Sequence, residues 1–208
     1  MRKGLFITME GPDGAGKSTQ IAMLSDYLSE IGIEAVVTRE PGGTPIGEKI
    51  RALVLDKDFP EMDDKTEALL YAAARAQHVA EVIKPALACG KAIICDRFID
   101  SSVVYQGFGR KLGKPVSEIN AFAVDGCLPD ITILLKLDPN VAMGRNREKE
   151  LDRLELERLE FHKEVFKGYA ELEKAYPERV IGIDAGGSVA EIQQEIRRQL
   201  TQRMEQFG

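Results

Sequence analysis

The stretch MEGPDGAGKSTQ, Met9 to Gln20, contains Gly11-Pro12-Asp13-Gly14-Ala15-Gly16-Lys17-Ser18, which satisfies the pattern G-x-x-x-x-G-K-[ST]. A short apolar run, Leu5 to Thr8, precedes it. After it, Ile21, Leu24, Leu28 and Ile31 recur at helical spacing until Gly32. The motif thus stands between a predicted strand and a predicted helix, the context it requires. Glycines let successive backbone N–H groups turn inward on an anion, and the positive end of the following helix adds to the same field. Lys17 adds a mobile full charge for the outer phosphates, and the Ser18 hydroxyl is a ligand type suited to Mg²⁺. The residues of the phosphate cradle are therefore Gly11 to Thr19.

Further β-branched or apolar runs occur at Ala35–Thr38, Ala92–Cys95, Ile131–Leu135 and Val180–Ile183. Helical patterns separate them: Ile46–Leu55, Lys65–Ala88, read either as one helix or as one broken with Pro85 near its end, Ile99–Gln106, Pro115–Gly126, a long Leu154–Ala175, and Val189–Gln206. Such alternation predicts an α/β protein of the P-loop NTPase class, a five-stranded parallel sheet with helices on both faces. At 208 residues, with no internal repeat and no Pro/Ser-rich linker, a single domain over 1–208 is expected.

Composition excludes several other classes. The net charge of −6 argues against a broad grip on a nucleic-acid polymer, so any anion must be met by a local pocket. No run is long enough to cross a bilayer or serve as a signal sequence, and no membrane partner is expected. Cys89, Cys95 and Cys127 form no C-x-x-C pair, which suits a reducing, cytoplasmic setting. His78 and His162 lack the spacing of a zinc site and read as surface or packing residues.

Three local features carry further chemistry. Asp13 places a carboxylate beside phosphates that it would repel. It either meets a sugar hydroxyl of a second substrate or caps its own loop. CDRF, Cys95 to Phe98, closes an apolar run, so Asp96 and Arg97 emerge at the carboxyl end of a strand, where doubly wound sheets bind ligands. Asp96 there can hold Mg²⁺ and Arg97 can clamp a phosphoryl group, or the two form a plain ion pair. TREPGGTPIGEKIR, Thr38 to Arg51, reads as an acceptor-phosphate pocket built on Arg39 and Arg51, with Glu40 ordering the arginines or a metal-bound water, or as a Gly-rich connector.

Taken in order, GPDGAGKSTQ, TREPGGTPIGEKIR, LLYAAARAQHV, CDRFIDSSVVYQGFGR and ELDRLE closely resemble bacterial thymidylate kinase over nearly the whole chain. The resemblance implies transfer of a phosphoryl group from ATP to dTMP, with Mg²⁺ as the cofactor and a homodimer as the assembly. It implies that Arg97, Arg39 and Arg51 hold the acceptor phosphate, that Asp13 meets the sugar 3′-hydroxyl, and that Tyr105 crowds the 2′ position. By the same resemblance Tyr71, where the family usually has Phe, stacks on thymine, and Arg75 reads its edge with Ser102 and Gln106. Helical spacing alone also permits Tyr71 as a core aromatic.

Phosphoryl transfer needs positive charge on the moving group. Some similar kinases carry an arginine at the position of Gly14; this chain has GRNREKELDR instead, Gly144 to Arg153. A lid over roughly 144–155 is therefore expected to deliver Arg153 first, then Arg147, with Arg145 as a third candidate. An ionised acceptor phosphate is already a nucleophile, so no general base is required. A signalling GTPase would need an N-K-x-D motif, which is absent, and a nucleoside kinase would not need the acceptor-phosphate arginines.

Overall fold

The computed structural model describes residues 4–138, 141, 142, 144 and 152–207. Five strands, β1 (Phe6–Glu10), β2 (Ala35–Arg39), β3 (Ala92–Asp96), β4 (Ile131–Lys136) and β5 (Val180–Asp184), form one all-parallel sheet in the order β2-β3-β1-β4-β5. β1 is buried along its whole length, as its unbroken FITM run requires of a central strand covered on both faces. β2, at the edge, is only partly covered. Each expected strand is present and runs one residue or two beyond its apolar run, because backbone pairing continues past the last apolar side chain.

The helices are α1 (Lys17–Glu30), α2 (Pro45–Leu55), α3 (Asp64–His78), α4 (Lys84–Ala88), α5 (Ile99–Ser102), α6 (Lys114–Val124), α7 (Leu159–Ala175) and α8 (Val189–Phe207). α1 and α8 pack on one face of the sheet, where Leu24, Leu28, Ile196 and Leu200 meet Ile7, Met9 and Ile133. On the other face Val79, Ile83 and Leu87 cover Phe6 and Ile93, and Val165, Tyr169 and Leu172 of α7 cover Leu134 and Val180.

The break allowed for in Lys65–Ala88 is present, and two other helical expectations need correction. A π turn, Val79–Ile83, separates α3 from α4. Pro85 has no N–H to donate four residues back, and the widened turn absorbs that gap. Ile99–Gln106 is likewise a short α5 followed by a π turn, Val103–Gly109, which carries Tyr105 and Gln106. The helix expected from Leu154 starts only at Leu159. The Asp152 carboxylate accepts from the backbone N–H of Leu154 and Glu155, both at 2.9 Å, and this turn competes with helix formation.

Register brings the site together. Met9 pairs with Asp96, and Asp96 with Arg39, so the residues leaving β1, β3 and β2 stand side by side at the carboxyl edge of the sheet.

Candidate active site

Helices α2 and α3 begin with side-chain caps: Thr44 Oγ1 accepts from Gly47 N, and Asp63 accepts from Lys65 N and Thr66 N. Helix α1 does not. Its N-cap is Gly16 in the left-handed region (φ 90), with no side-chain cap, so the first-turn amides remain available to an anion. Gly11 (φ 132) is fixed for another reason: a Cβ there would lie 2.4 Å from the Leu135 carbonyl oxygen. Lys17 folds back into the loop and donates to the carbonyls of Gly11 and Pro12, both at 3.1 Å. Burial, and secondarily the nearby Arg97 charge, lowers its pKa.

Arg97 is a non-glycine residue at φ 64, held there by its backbone N–H donating to Met9 O at 3.0 Å. That conformation aims its guanidinium across the cleft, where it bonds Asp13 at 2.8 Å and reaches Ser101 and the Tyr169 hydroxyl at 3.2 and 3.3 Å. It also stacks over Tyr105, 5.1 Å from the ring centroid. Arg97 therefore pairs with Asp13 rather than with Asp96, and Asp13 does not stand as an uncompensated charge among the phosphate-binding amides. Asp96 Oδ1 is buried with no hydrogen-bond partner among the described residues.

Beneath Arg97 lies Glu10, fully buried. Its carboxylate accepts from Phe98 N, Ser101 Oγ and the Tyr169 hydroxyl at 2.8, 2.6 and 2.9 Å. Burial, then the neighbouring Asp100 charge, pushes its pKa up to about 6 against the pull of Arg97.

At the β2 edge Arg39 and Arg51 converge: both donate to the Pro41 carbonyl, at 3.1 and 3.0 Å. Two like charges brought onto one carbonyl make a pocket for an anion. Glu48, whose carboxyl the hydrogen bond from Arg39 holds below the usual range, steadies Arg39 at 3.0 Å.

The far wall is α3. Glu67, Tyr71 and Arg75 recur every four residues and share its inner face. Arg75 is 2 % exposed and donates from Nε to Glu40 at 2.7 Å, from Nη1 to Ser102 at 3.0 Å and to Asn120, and from Nη2 to the Phe98 carbonyl at 3.0 Å. Glu40 is thus committed to Arg75, and to His78 Nδ1 at 2.9 Å, rather than to Arg39 or Arg51. His78 is fully buried between Glu40 and Thr38, a packing residue. Tyr71 belongs to a core cluster with Val54, Val104 and Tyr105, yet it also lines the cleft.

A cavity of 580 Å³ joins these parts. Asp13, Gly14, Gly16, Lys17, Ser18, Thr19, Arg39, Glu40, Arg51, Tyr71, Arg75, Asp96, Arg97, Ser102, Tyr105 and Gln106 all line it. Gly11, Pro12 and Ala15 stand behind the lining, as backbone of the same loop. Arg153 is not brought to the lining: its guanidinium donates to Glu67 at 2.5 Å and to the Val54 carbonyl at 2.9 Å. Arg145 and Arg147 lie outside the described residues. Sequence reasoning missed Glu10, Ser101, Tyr169, Glu67 and Asn120. Glu67 had a signal, its spacing of four from Tyr71 and eight from Arg75; Tyr169 and Asn120 had none, since both arrive from distant helices.

Comparison with known proteins identifies a family of matching sequence and fold. The family model described as thymidylate kinase matches residues 9–196. A thymidylate kinase of Geobacillus thermodenitrificans is 48% identical over 206 residues, covering 97% of this chain and 92% of the relative. One of Clostridium novyi is 50% identical over 201 residues, covering 95% and 98%. The crystal structure of thymidylate kinase from Ehrlichia chaffeensis superposes with a TM-score of 0.78 at 34% identity, covering 96% of this chain and 99% of that one.

Proposed function

The chain belongs to the thymidylate kinase family, and from that premise we propose how its cleft transfers the γ-phosphoryl group of ATP to dTMP, giving ADP and dTDP for dTTP synthesis. One observation carries the assignment of roles: a phosphate loop and a separate cluster of arginines open into the same cavity, with a buried hydrogen-bonding wall beyond them. The loop from Gly11 to Thr19 takes the ATP phosphates, Lys17 exchanging its own carbonyls for phosphate oxygens. Arg39, Arg51 and Arg97 take the acceptor phosphate, Tyr105 and Asp13 border the sugar, and Tyr71, Arg75, Ser102 and Gln106 face the base.

The acceptor phosphate oxygen forms the new P–O bond as the bond from the γ-phosphorus to the β–γ bridging oxygen breaks, and the leaving electrons stay on ADP. No proton need move, so positioning and charge neutralisation supply the catalysis. Arg97 is fit for this. Burial alone would lower its pKa, but Asp13 and its other partners outweigh that, so it stays charged throughout. Mg²⁺ fits the ATP end because Asp96 Oδ1 is buried with no hydrogen-bond partner among the described residues and the Ser18 hydroxyl is exposed in the cleft, both hard oxygen donors. Those two residues would hold it, and when bound it supplies positive charge at the transferring phosphates.

With Arg153 engaged by Glu67, we assign the lid charge to Arg147 before Arg153, the reverse of the order that the sequence suggested. Arg147→Ala should lower turnover by roughly 10²-fold or more with little change in dTMP binding; unchanged turnover would return the role to Arg153 or Arg145. A homodimer is supported by Phe122, 89% exposed on α6, and Leu69, 57% exposed on α3, two helices that pack together. A reducing, cytoplasmic location is supported by the scattered Cys89, Cys95 and Cys127, which form no C-x-x-C pair. No described helix is long and apolar enough to cross a membrane.

The test is ADP formation from Mg-ATP with nucleoside monophosphates and thymidine. dTMP should give the highest rate and thymidine none; no ADP above buffer with dTMP would defeat the reading.

A further inference from the structure

Glu67 is 0% exposed, and nothing in the phosphoryl transfer uses it. Its Oε1 accepts from Gln106 Nε2 at 3.0 Å and Arg110 Nε at 3.3 Å; its Oε2 accepts from Arg110 Nη2 at 3.0 Å and Arg153 Nη2 at 2.5 Å. Burial pushes its carboxyl up, but the hydrogen bonds from Arg110 and Gln106 outweigh that, so it lies below the usual range and stays ionised.

An ionised carboxylate can only accept hydrogen bonds. A primary amide has an NH₂ end that donates and an oxygen end that accepts, and its two flip states are otherwise nearly equal in shape. With Glu67 beside it, Gln106 must turn its NH₂ to the carboxylate. That leaves Oε1, an acceptor, as the atom available to the cavity that Gln106 lines. Arg75, on the same helix face as Glu67, has four of its five N–H groups committed to Glu40, Ser102, Asn120 and Phe98 O. Its remaining donor is the second hydrogen of Nη2.

Between them, Arg75 and Gln106 therefore present one donor and one acceptor to the base side of the cavity. A 4-keto pyrimidine with N3–H offers the complementary pair, an acceptor at O4 and a donor at N3. A 4-amino pyrimidine offers the reverse, a donor at N4 and an acceptor at N3. We infer that Glu67 is a specificity-determining positioning residue: by accepting only, it fixes the flip of Gln106 and so makes the pocket select thymine or uracil against cytosine. This rests on the reading in which Arg75 and Gln106 face the acceptor base.

The experiment is kcat/KM for dTMP and for dCMP in wild-type protein and variants, with thermal melts as a folding control. Wild type should favour dTMP by about 10³-fold or more, because a mismatched base leaves buried polar groups unpaired. Glu67→Gln can offer its own NH₂ and release Gln106 to flip, so the dTMP/dCMP ratio should fall by about tenfold or more. Glu67→Asp keeps an acceptor-only side chain and should hold the ratio while KM rises. A Glu67→Gln ratio within about twofold of wild type, or a Glu67→Asp ratio as low as that of Glu67→Gln, would overturn the inference. Should Glu67→Gln fail to fold, Gln106→Ala decides: the ratio collapses if Gln106 is the discriminating group, and a retained ratio overturns the proposal. Wild-type protein without dTMP turnover would defeat the functional reading itself, and this inference with it.

Discussion

At the carboxyl end of β1 the cleft is walled by backbone amides and by charges that bond within or next to their own loop; at α3 it is walled by side chains tied to one another from several elements. Lys17 is held by the carbonyls of Gly11 and Pro12, and Asp96 Oδ1 has no partner among the described residues. Arg75, by contrast, spends four donors on Glu40, Ser102, Asn120 and Phe98. On the roles proposed above, the phosphate end must exchange its internal contacts for ligand contacts when nucleotide arrives, and the base end must hold a fixed pattern of donor and acceptor before it arrives. Binding charge and reading a base therefore ask for opposite constructions, and removing a group at each end should have different consequences for folding.

The largest effect expected is at Lys17. Lys17→Met should lower kcat by roughly 10³-fold, the scale for losing a charge on the transferring group. Its melting temperature should stay level or rise, because a buried ammonium with a lowered pKa is being removed. A marked loss of stability in a calorimetric scan would break the contrast. Arg75→Met should do the reverse, costing about 3–5 kcal/mol in urea unfolding because it leaves Glu40 buried without its main cation. Unchanged stability there would show that the α3 network contributes nothing to the fold.

The same positions show what could be read from the chain beforehand. The P-loop, the five strands and the residues at the ends of β2 and β3 were legible because each rests on local spacing: glycines before a helix, an apolar run ending in a charged pair. The phosphate end is made almost wholly of such local features. The base end was legible only through family resemblance, and its supports were not. Asn120 comes from α6 to meet Arg75, and Glu67 from the first turn of α3 to meet Gln106, and nothing local announces either contact; nor does anything local place Tyr169 of α7 on Arg97 at the phosphate end. Two further misses have local physical causes that periodicity cannot register, namely the π turn at Val103–Gly109 and the Asp152 turn that delays α7. Arg153 was expected at the moving phosphoryl because Gly14 leaves the P-loop without an arginine; in the structure its guanidinium meets Glu67 and the Val54 carbonyl.

Glu10 sharpens the comparison, since it lies buried directly beneath the phosphate end. Its carboxyl ordinarily titrates near 4.5 and here near 6. Below that window it is protonated folded or unfolded. Within it the folded protein keeps a proton that the unfolded chain has lost, so stability falls as pH rises, by about 2 kcal/mol in total. Glu10→Gln has no such proton and should lose less stability between pH 4.5 and 6. Urea midpoints across that range check this, and parallel curves for the two proteins would contradict it. The smallest effect is at the exposed edge. Arg39→Ala should raise KM for dTMP by about tenfold and leave stability within about 0.5 kcal/mol, as surface substitutions usually do.

The division of the cleft into an acceptor half and a donor half is tested most directly by calorimetric titration of dTMP without ATP. One dTMP should bind per chain to the wild type. Lys17→Met should bind it with nearly unchanged affinity, while Arg75→Met and Arg39→Ala, each first shown to be folded, should bind it more weakly by about tenfold or more. Loss of dTMP binding in Lys17→Met, or full retention in Arg75→Met, would contradict that division.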